Sequence, residues 1–340
     1  MASGTPSSRP TIRTVAELAG VSKSLVSLVL QGSPHVSQSK RTAVDRAIAE
    51  LGYRPNFMAR NLTEGRTNLV GVVLNDLRNP WFIDGLEGLT AVLAGRGMRV
   101  LLADGRLDQR TDDALLEAFL EMRVDGLVLL GTSPVSPTLA AAVTHVPTVV
   151  AANRDVVLDH VDVVANDDWA GAQLAVDHLI GLGHERVAHI AGAYGAVAAL
   201  RRESYAATME RRGLAAHRQV ETADMTEDGG YRAAIRLLSG AARPTAIFAV
   251  NDVTAVGAMS AAQELGLRVP HDVSLVGYDN TSLAQLRHLW LTSIDNANLE
   301  VGRRAGNALL ARIEDPGSPA SELLLPPSLQ VRGTTAPPPA

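Results

Sequence analysis

Four pairs of polar residues stand where apolar runs end: Asn75-Asp76, Asn153-Arg154, Asn251-Asp252 and Tyr278-Asp279. Each follows a short stretch rich in Val, Leu, Ile or Ala, and such stretches read as buried strands. In open α/β sheets ligands bind outside the carboxyl ends of the strands, so these pairs are candidates for one shared site. Carboxylates accept from vicinal hydroxyls, amides both donate and accept, and the ring of Trp81 can cover the apolar face of a sugar. A second group lies near the start, in residues 11–31. Lys23, Ser24, Ser27 and Leu28 share the outer face of a short helix, a polar and mildly basic surface of the width that the major groove of DNA accepts. Read alone, that stretch is more often an ordinary helical hairpin.

The apolar runs at residues 69–74, 100–103, 127–130, 148–151, 187–191, 246–250 and 273–276 alternate with helical patterns at 81–96, 111–122, 168–182, 201–212, 229–238 and 252–265. This alternation predicts parallel sheets covered by helices on both faces. The runs exceed what one sheet usually holds, which predicts two sheets with a cleft between them and a first crossing within residues 154–167. A last helix at 298–314 and a strand at 323–325 follow.

The early stretch reads as two helices and a tight turn. Thr14 caps the first, with Glu17 completing a capping box, and Val15, Leu18 and Ala19 form its inner face. Gly20 supplies the turn, and Ser22 caps the second helix, whose inner stripe is Val26, Val29 and Leu30. Ser37 caps a third helix, in which Ala43, Val44, Ala47, Ile48 and Leu51 face a small core, while Lys40, Arg41 and Arg46 are available to phosphates or to water. Gly52 ends it. The next segment, 53–62, is a marginal two-turn helix suited to a hinge.

Charge divides along the same boundary. Residues 1–66 hold nine Lys/Arg against four Asp/Glu, and the remainder holds 22 against 32. A basic head on an acidic body means that only the head meets a polyanion. The absence of cysteine excludes disulfides and thiolate zinc sites and suits a reducing, cytoplasmic setting. The polar N-terminus lacks the apolar core of a secretory signal, and no apolar run is long enough to span a bilayer.

Thr14-Val15-Ala16, Ala19-Gly20-Val21-Ser22, His35-Val36-Ser37, Leu51-Gly52-Tyr53-Arg54-Pro55-Asn56 and Ala59-Arg60-x-Leu62, followed by Asn79-Pro80-Trp81-Phe82, Asn251-Asp252, Gly277-Tyr278-Asp279 and Leu291-Thr292-Ser293-Ile294, closely resemble runs of the lactose-repressor/galactose-repressor (LacI/GalR) family of bacterial transcription regulators. The resemblance covers about residues 11–332. It implies an α/β protein with a three-helix helix-turn-helix head at 11–54, a hinge helix and linker at 55–66, and a two-lobed, parallel-sheet body at 67–332 resembling periplasmic binding proteins. A disordered arm at 1–10 and a disordered tail at 333–340 complete it.

The implied activity is repression by a homodimer on a palindromic operator, controlled by a sugar, polyol or similar metabolite, with no cofactor, no metal and no catalysis. The DNA contacts it implies are Ser22, Lys23, Ser24, Ser27 and Leu28 on the reading helix and Asn56, Ala59 and Leu62 in the hinge, Leu62 as a minor-groove wedge. Ser22 and Ser27 would hold phosphates, and Lys23 either reads a base or touches phosphate. Leu28 departs from the family, which often has arginine there; leucine cannot take guanine O6 and N7 in a bidentate pair, so the operator should differ at that position.

The effector contacts it implies are Asp76, Trp81, Phe82, Asn153, Arg201, Asn251 and Asp279. Asp252 reads as a helix cap rather than a ligand contact, Arg202 as a surface residue, and Phe82 is more often core than contact. Met225 stands where some members place an aromatic residue across the ligand, and Trp290 is a candidate for the missing ring. Rival readings are a transport solute-binding protein, which would need export, and a nucleotide-dependent enzyme. For the enzyme, the G-x-G-x-x-G, Walker, H-E-x-x-H and G-x-S-x-G patterns are all absent.

Overall fold

A computed structural model describes residues 10–30, 32–53, 66–105, 109–131, 135–154 and 158–339. The chain divides into two compact units, residues 1–67 and 68–340.

The first unit contains α1 (Ile12–Ala19), α2 (Lys23–Leu30) and α3 (Gln38–Leu51) around Val15, Ala16, Val26, Val29, Val36, Val44 and Ala47. The helix α1 begins three residues earlier than the sequence suggests. Thr11, not Thr14, is the N-cap: its hydroxyl accepts from Thr14 N at 3.3 Å, and Thr14 Oγ1 accepts from Thr11 N at 2.9 Å. Glu17 instead pairs with Arg13 at 2.9 Å. With that start, Ile12, Val15, Ala16 and Ala19 form the i, i+3, i+4, i+7 stripe, which leaves Leu18 47% exposed. Gly20 takes a left-handed conformation (φ 64°) between α1 and α2. Ser22 Oγ accepts from Leu25 N at 3.2 Å, as a cap should. Ser37 occupies the cap position of α3 without a side-chain cap bond, and Arg41 donates to Ser33 O at 2.7 Å.

The second unit has two six-stranded sheets. In chain order its elements are β1 (Leu69–Leu74), α4 (Pro80–Ala94), β2 (Arg99–Asp104), α5 (Gln109–Glu121), β3 (Gly126–Leu130), α6 (Pro137–Ala142), β4 (Thr148–Ala151), β5 (Asp162–Asn166) and α7 (Asp168–Gly181). Then come β6 (Val187–Gly192), α8 (Ala196–Arg211), β7 (Gln219–Ala223), α9 (Glu227–Leu238), β8 (Ala246–Ala249), α10 (Asp252–Glu264), β9 (Ser274–Tyr278), β10 (Thr292–Asp295), α11 (Asn298–Glu314), β11 (Glu322–Leu325) and β12 (Ser328–Gln330). The sheet orders are β11-β5-β4-β3-β1-β2 and β12-β10-β9-β8-β6-β7. All pairings are parallel except β10 with β12.

The chain crosses between lobes after β5, after β10 and after β11. Residues 154–167 therefore hold a strand of the first sheet before the crossing. Strands β5, β7, β10 and β12 escape a reading that looks for continuous apolar runs, because Asp162, Gln219, Glu221, Thr292, Ser293 and Ser328 break the pattern. On its return, α11 packs against α4 so closely that a Cβ on Gly302 would stand 1.9 Å from Gly85 O, and one on Gly88 2.0 Å from Leu299 O. Only glycine permits that approach of backbones. A buried ion pair, Arg312 with Asp162 at 2.8 Å, fixes α11 to β5.

The expected disordered tail is instead held against the second lobe. Thr334 is 2% exposed, its N-terminal neighbour Gly333 donates to Trp290 O, and its own carbonyl accepts from Leu275 N at 2.8 Å. The proline-rich composition suppresses helix and strand but leaves carbonyls and the Thr334 and Thr335 hydroxyls free to bond to neighbouring strands.

Candidate functional site

A cavity of about 130 Å³ lies where the carboxyl ends of the two sheets face each other. One water needs on the order of 10–15 Å³ on this measure, so the space suits a molecule of roughly ten non-hydrogen atoms. From the first lobe it is lined by Asn75 and Asp76 beyond β1, by Asn79, Trp81 and Phe82 at the start of α4, and by Gly131, Ala152 and Asn166. From the second come Asp168, Tyr194, Val197, Ala198, Arg201, Asp224, Met225, Val250, Asn251, Asp279 and the linker residue Asn296.

Arg201 is the centre of the polar wall. Its Nε and Nη2 reach Asp168 Oδ1 at 2.9 and 2.7 Å, and Nη1 donates to Val250 O at 2.6 Å. Asp279 Oδ1 is 3.6 Å from Nη2, and the guanidinium carbon lies 3.5 Å from the ring centroid of Tyr278. Burial works against the guanidinium's charge, but the carboxylates of Asp168 and Asp279 outweigh it and raise its pKa above the ordinary value. Burial also pushes the Asp279 carboxyl up to about 6, against the pull of Arg201. Asp279 is further held by Asn296 Nδ2 at 3.2 Å, while Asn296 Oδ1 accepts from the Trp81 indole at 3.2 Å. One amide thus ties the aromatic wall of one lobe to the carboxylate of the other.

Of the seven expected effector residues, Asp76, Trp81, Phe82, Arg201, Asn251 and Asp279 meet in this cavity. Asn153 does not line it. The chain turns at Ala152 (φ 62°), so Ala152 faces the cavity and Asn153 is buried at 2% exposure. Arg154 reaches away to Glu322 at 2.8 Å. Asn251 lines the cavity as expected and also takes the helix-cap role that the sequence suggested for Asp252, which does not line it. Asn251 Oδ1 caps α10 by accepting from Thr254 N at 2.8 Å, and its Nδ2 donates to Met225 O at 3.4 Å, which leaves its second N–H for a ligand. Asp252 accepts from Thr281 N, Thr281 Oγ1 and Ser293 Oγ at 2.7, 2.9 and 2.6 Å, which locks the ends of β9 and β10 together. Burial, with Asp279 nearby, pushes its carboxyl up to about 7.

Trp290 is not the missing ring: it is 48% exposed, outside the cavity, with Arg332 over it at 5.7 Å. Residues that sequence reasoning missed are Asn79, Asn166, Asp168, Tyr194, Asp224 and Asn296. Asn166 and Asn296 close strands that were not recognised or sit in the linker after one. Asp168 was hidden as an acidic residue in the first turn of a helix, where such residues are common for other reasons.

On the head, Lys23, Ser24 and Leu28 are exposed along α2, Leu28 at 42%, with Ser22 at its start and Ser27 half-buried. Asn56, Ala59 and Leu62 lie outside the described residues. Among the described residues no group of three or more acidic or histidine side chains is arranged to hold a metal ion, and no helix is long and apolar enough to cross a membrane.

Residues 11–56 match the family described as "Bacterial regulatory proteins, lacI family", and residues 176–335 the "Periplasmic binding protein-like domain". The chain is 35% identical over 328 residues to the ribose operon repressor of Escherichia coli (strain K12), covering 95% of this chain and 99% of that one. Among solved structures, the lac repressor dimer bound to operator and the anti-inducer ONPF superposes with a TM-score of 0.83 at 30% identity, over 97% of this chain and all of that one. A LacI family transcriptional regulator from Enterococcus faecium with bound ribose gives 0.73 at 26% identity, over 79% and 99%. With a helix-turn-helix head, a two-lobed body and a cavity between the lobes, and with relatives matching along almost its whole length, the chain belongs to the lacI family of bacterial regulatory proteins, DNA-binding transcription regulators controlled by a small molecule bound in the body.

Proposed function

We propose that the controlling molecule is an uncharged monosaccharide of about pentose size, and that the protein is a homodimer whose two heads occupy a palindromic operator. The charge balance of the cavity wall carries this reading. Asp76, Asp168, Asp224 and Asp279 face the space, and among the described residues the one cationic side chain lining it, Arg201, is already paired with Asp168. A ligand anion about 4 Å from one uncompensated carboxylate meets a repulsion of about 4 kcal/mol at an effective dielectric near 20, reduced at Asp168 and Asp76 by their partners Arg201 and Arg78. Sugar hydroxyls, in contrast, donate to carboxylates and exchange bonds with Asn75, Asn79, Asn251 and Asn296. The ribose operon repressor among the relatives and the ribose-bound Enterococcus faecium structure agree with a pentose. The reading assigns the cleft no reaction; binding itself is the activity.

In the head, Lys23, Ser24 and Leu28 are the base-reading side chains on this reading. Ser22 keeps its hydroxyl proton for a phosphate while its oxygen caps α2, and the half-buried Ser27 holds a second phosphate on this reading. In the hinge, Leu62 is the minor-groove wedge on this reading, Ala59 lets the paired hinge segments approach closely, and Asn56 is a further DNA contact. One head makes too few contacts for strong specificity, which is why two are needed.

A thermal-shift titration of the full chain tests the ligand class. At a hundredfold excess over Kd a ligand adds about 2.7 kcal/mol. For a body of this size that raises the midpoint by about 5–10 °C. D-ribose is expected to do so and D-ribose 5-phosphate is not; a larger shift with the phosphate would overturn the reading.

A further inference from the structure

Aromatic side chains at the cavity differ in how much surface they offer. Trp81 and Phe82 pack edge to face, centroids 5.1 Å apart, and are 5% and 8% exposed. Both belong to the core of the first lobe, and the Trp81 indole N–H is engaged by Asn296. They present edges. Tyr194 is 45% exposed and lines the same cavity from the loop between β6 and α8, just before Gly195 (φ 88°).

Two hydrogen bonds fix that loop to the one after β7. Ala193 N donates to Ala223 O at 2.8 Å, and the Tyr194 hydroxyl donates to Asp224 O at 3.2 Å. The second carbonyl belongs to the residue before Met225, the position at which the lactose-repressor resemblance leads one to look for an aromatic side chain. Met225 itself sits in a left-handed conformation (φ 61°) with its thioether against Gly192, where a Cβ would meet the sulfur at 3.0 Å. The phenol ring therefore stands beside the place left by a ring at 225, anchored by its own hydroxyl. Burial, with Asp224 and Asp76 nearby, keeps that hydroxyl protonated, above the ordinary phenol value, so the anchoring bond persists through the neutral range.

A pyranose or furanose carries hydroxyls around its rim and C–H groups on a face. The polar wall of the cavity answers the rim, and a flat apolar surface is needed for the face. We propose that Tyr194 is the specificity-determining ring of this effector site, covering the C–H face of a bound sugar in place of an aromatic residue at position 225. The inference rests on the monosaccharide reading above.

The test is calorimetric titration of the full chain with D-ribose, D-xylose, D-galactose and cellobiose, followed by the best-bound sugar against Tyr194→Phe, Tyr194→Leu and Tyr194→Ala. Phe keeps the ring and loses only the anchor, so its Kd stays within about threefold, while Leu and Ala weaken binding by about tenfold or more, the scale of one aromatic contact. Equal affinity for Phe and Leu would show that bulk alone matters and overturn the inference while the monosaccharide reading stands. Failure of the wild type to bind any of the four sugars overturns both. A readout independent of the variants' folding is the fluorine resonance of 3-fluorotyrosine-labelled wild type, assigned through Tyr194→Phe. It shifts when the sugar saturates the site, and an unmoved Tyr194 signal removes the ring from the site.

Discussion

Deleting residues 333–340 distinguishes a passive tail from a structural strap. The strap joins the second lobe through Gly333 N to Trp290 O, Leu275 N to Thr334 O and Thr292 N to Thr334 Oγ1. Thr334 Oγ1 in turn donates to Leu275 O at 2.7 Å, Ala336 N to Ser274 Oγ at 3.0 Å, and the imidazoles of His178 and His184 meet Thr335 Oγ1 and Ala336 O at 3.0 and 2.9 Å. Truncation lets water replace part of what is lost, so a net 0.5–1 kcal/mol for each bond is appropriate, about 3.5–7 kcal/mol for the set. In a body of this size the thermal midpoint then falls by about 7–28 °C. Calorimetry of the full and shortened chains measures it directly. Thr334→Val is the finer probe: it keeps the volume but leaves Thr292 N–H and Leu275 C=O without their partner, a loss of about 2–4 kcal/mol. A midpoint within about 2 °C of the full chain for both variants would refute the strap.

Other tests address the core, the lobes' junction and the head. His189 is wholly buried between Phe248 and Tyr205, and burial lowers its pKa to about 4. Since the unfolded chain binds this proton below about pH 6.5 and the folded chain does not, the contribution is complete above pH 6.5 and is lost as pH falls toward 4, on the order of 3 kcal/mol. Urea unfolding at several pH values should show a shallower acid limb for His189→Phe than for the wild type. Gly302→Ala forces α4 and α11 apart and should destabilise by about 3 kcal/mol, read as a lower urea midpoint. Leu28→Arg places a bidentate donor on the reading face and should shift selection from a randomised operator toward guanine at the contacted position, by about tenfold or more.

Much of this protein follows from local chemistry. The strand–helix alternation, the two sheets, the head with its Gly20 turn, and the charge division were legible because burial imposes a period on each element and glycine marks the left-handed turns. The strand-end rule located Asp76, Asn251 and Asp279 in the cavity, and the family resemblance added Arg201. What escaped were polar strands, because the tertiary structure supplies partners for their polar groups: Asp162 is answered by Arg312, and Thr292 and Ser293 by Thr334 and Asp252.

Only the folded arrangement decided which member of each polar pair faces the ligand. One left-handed residue turns Asn153 out of the cavity, and the cap of α10 falls to Asn251, which also lines the cavity, while Asp252 ties β9 to β10. The folded arrangement also placed Trp290 outside the cavity and Tyr194 in its lining, and turned an apparently idle tail into part of the second lobe. Sequence spacing determines what lies on one side of one element; which elements bring their sides together is set by contacts between residues far apart in the chain.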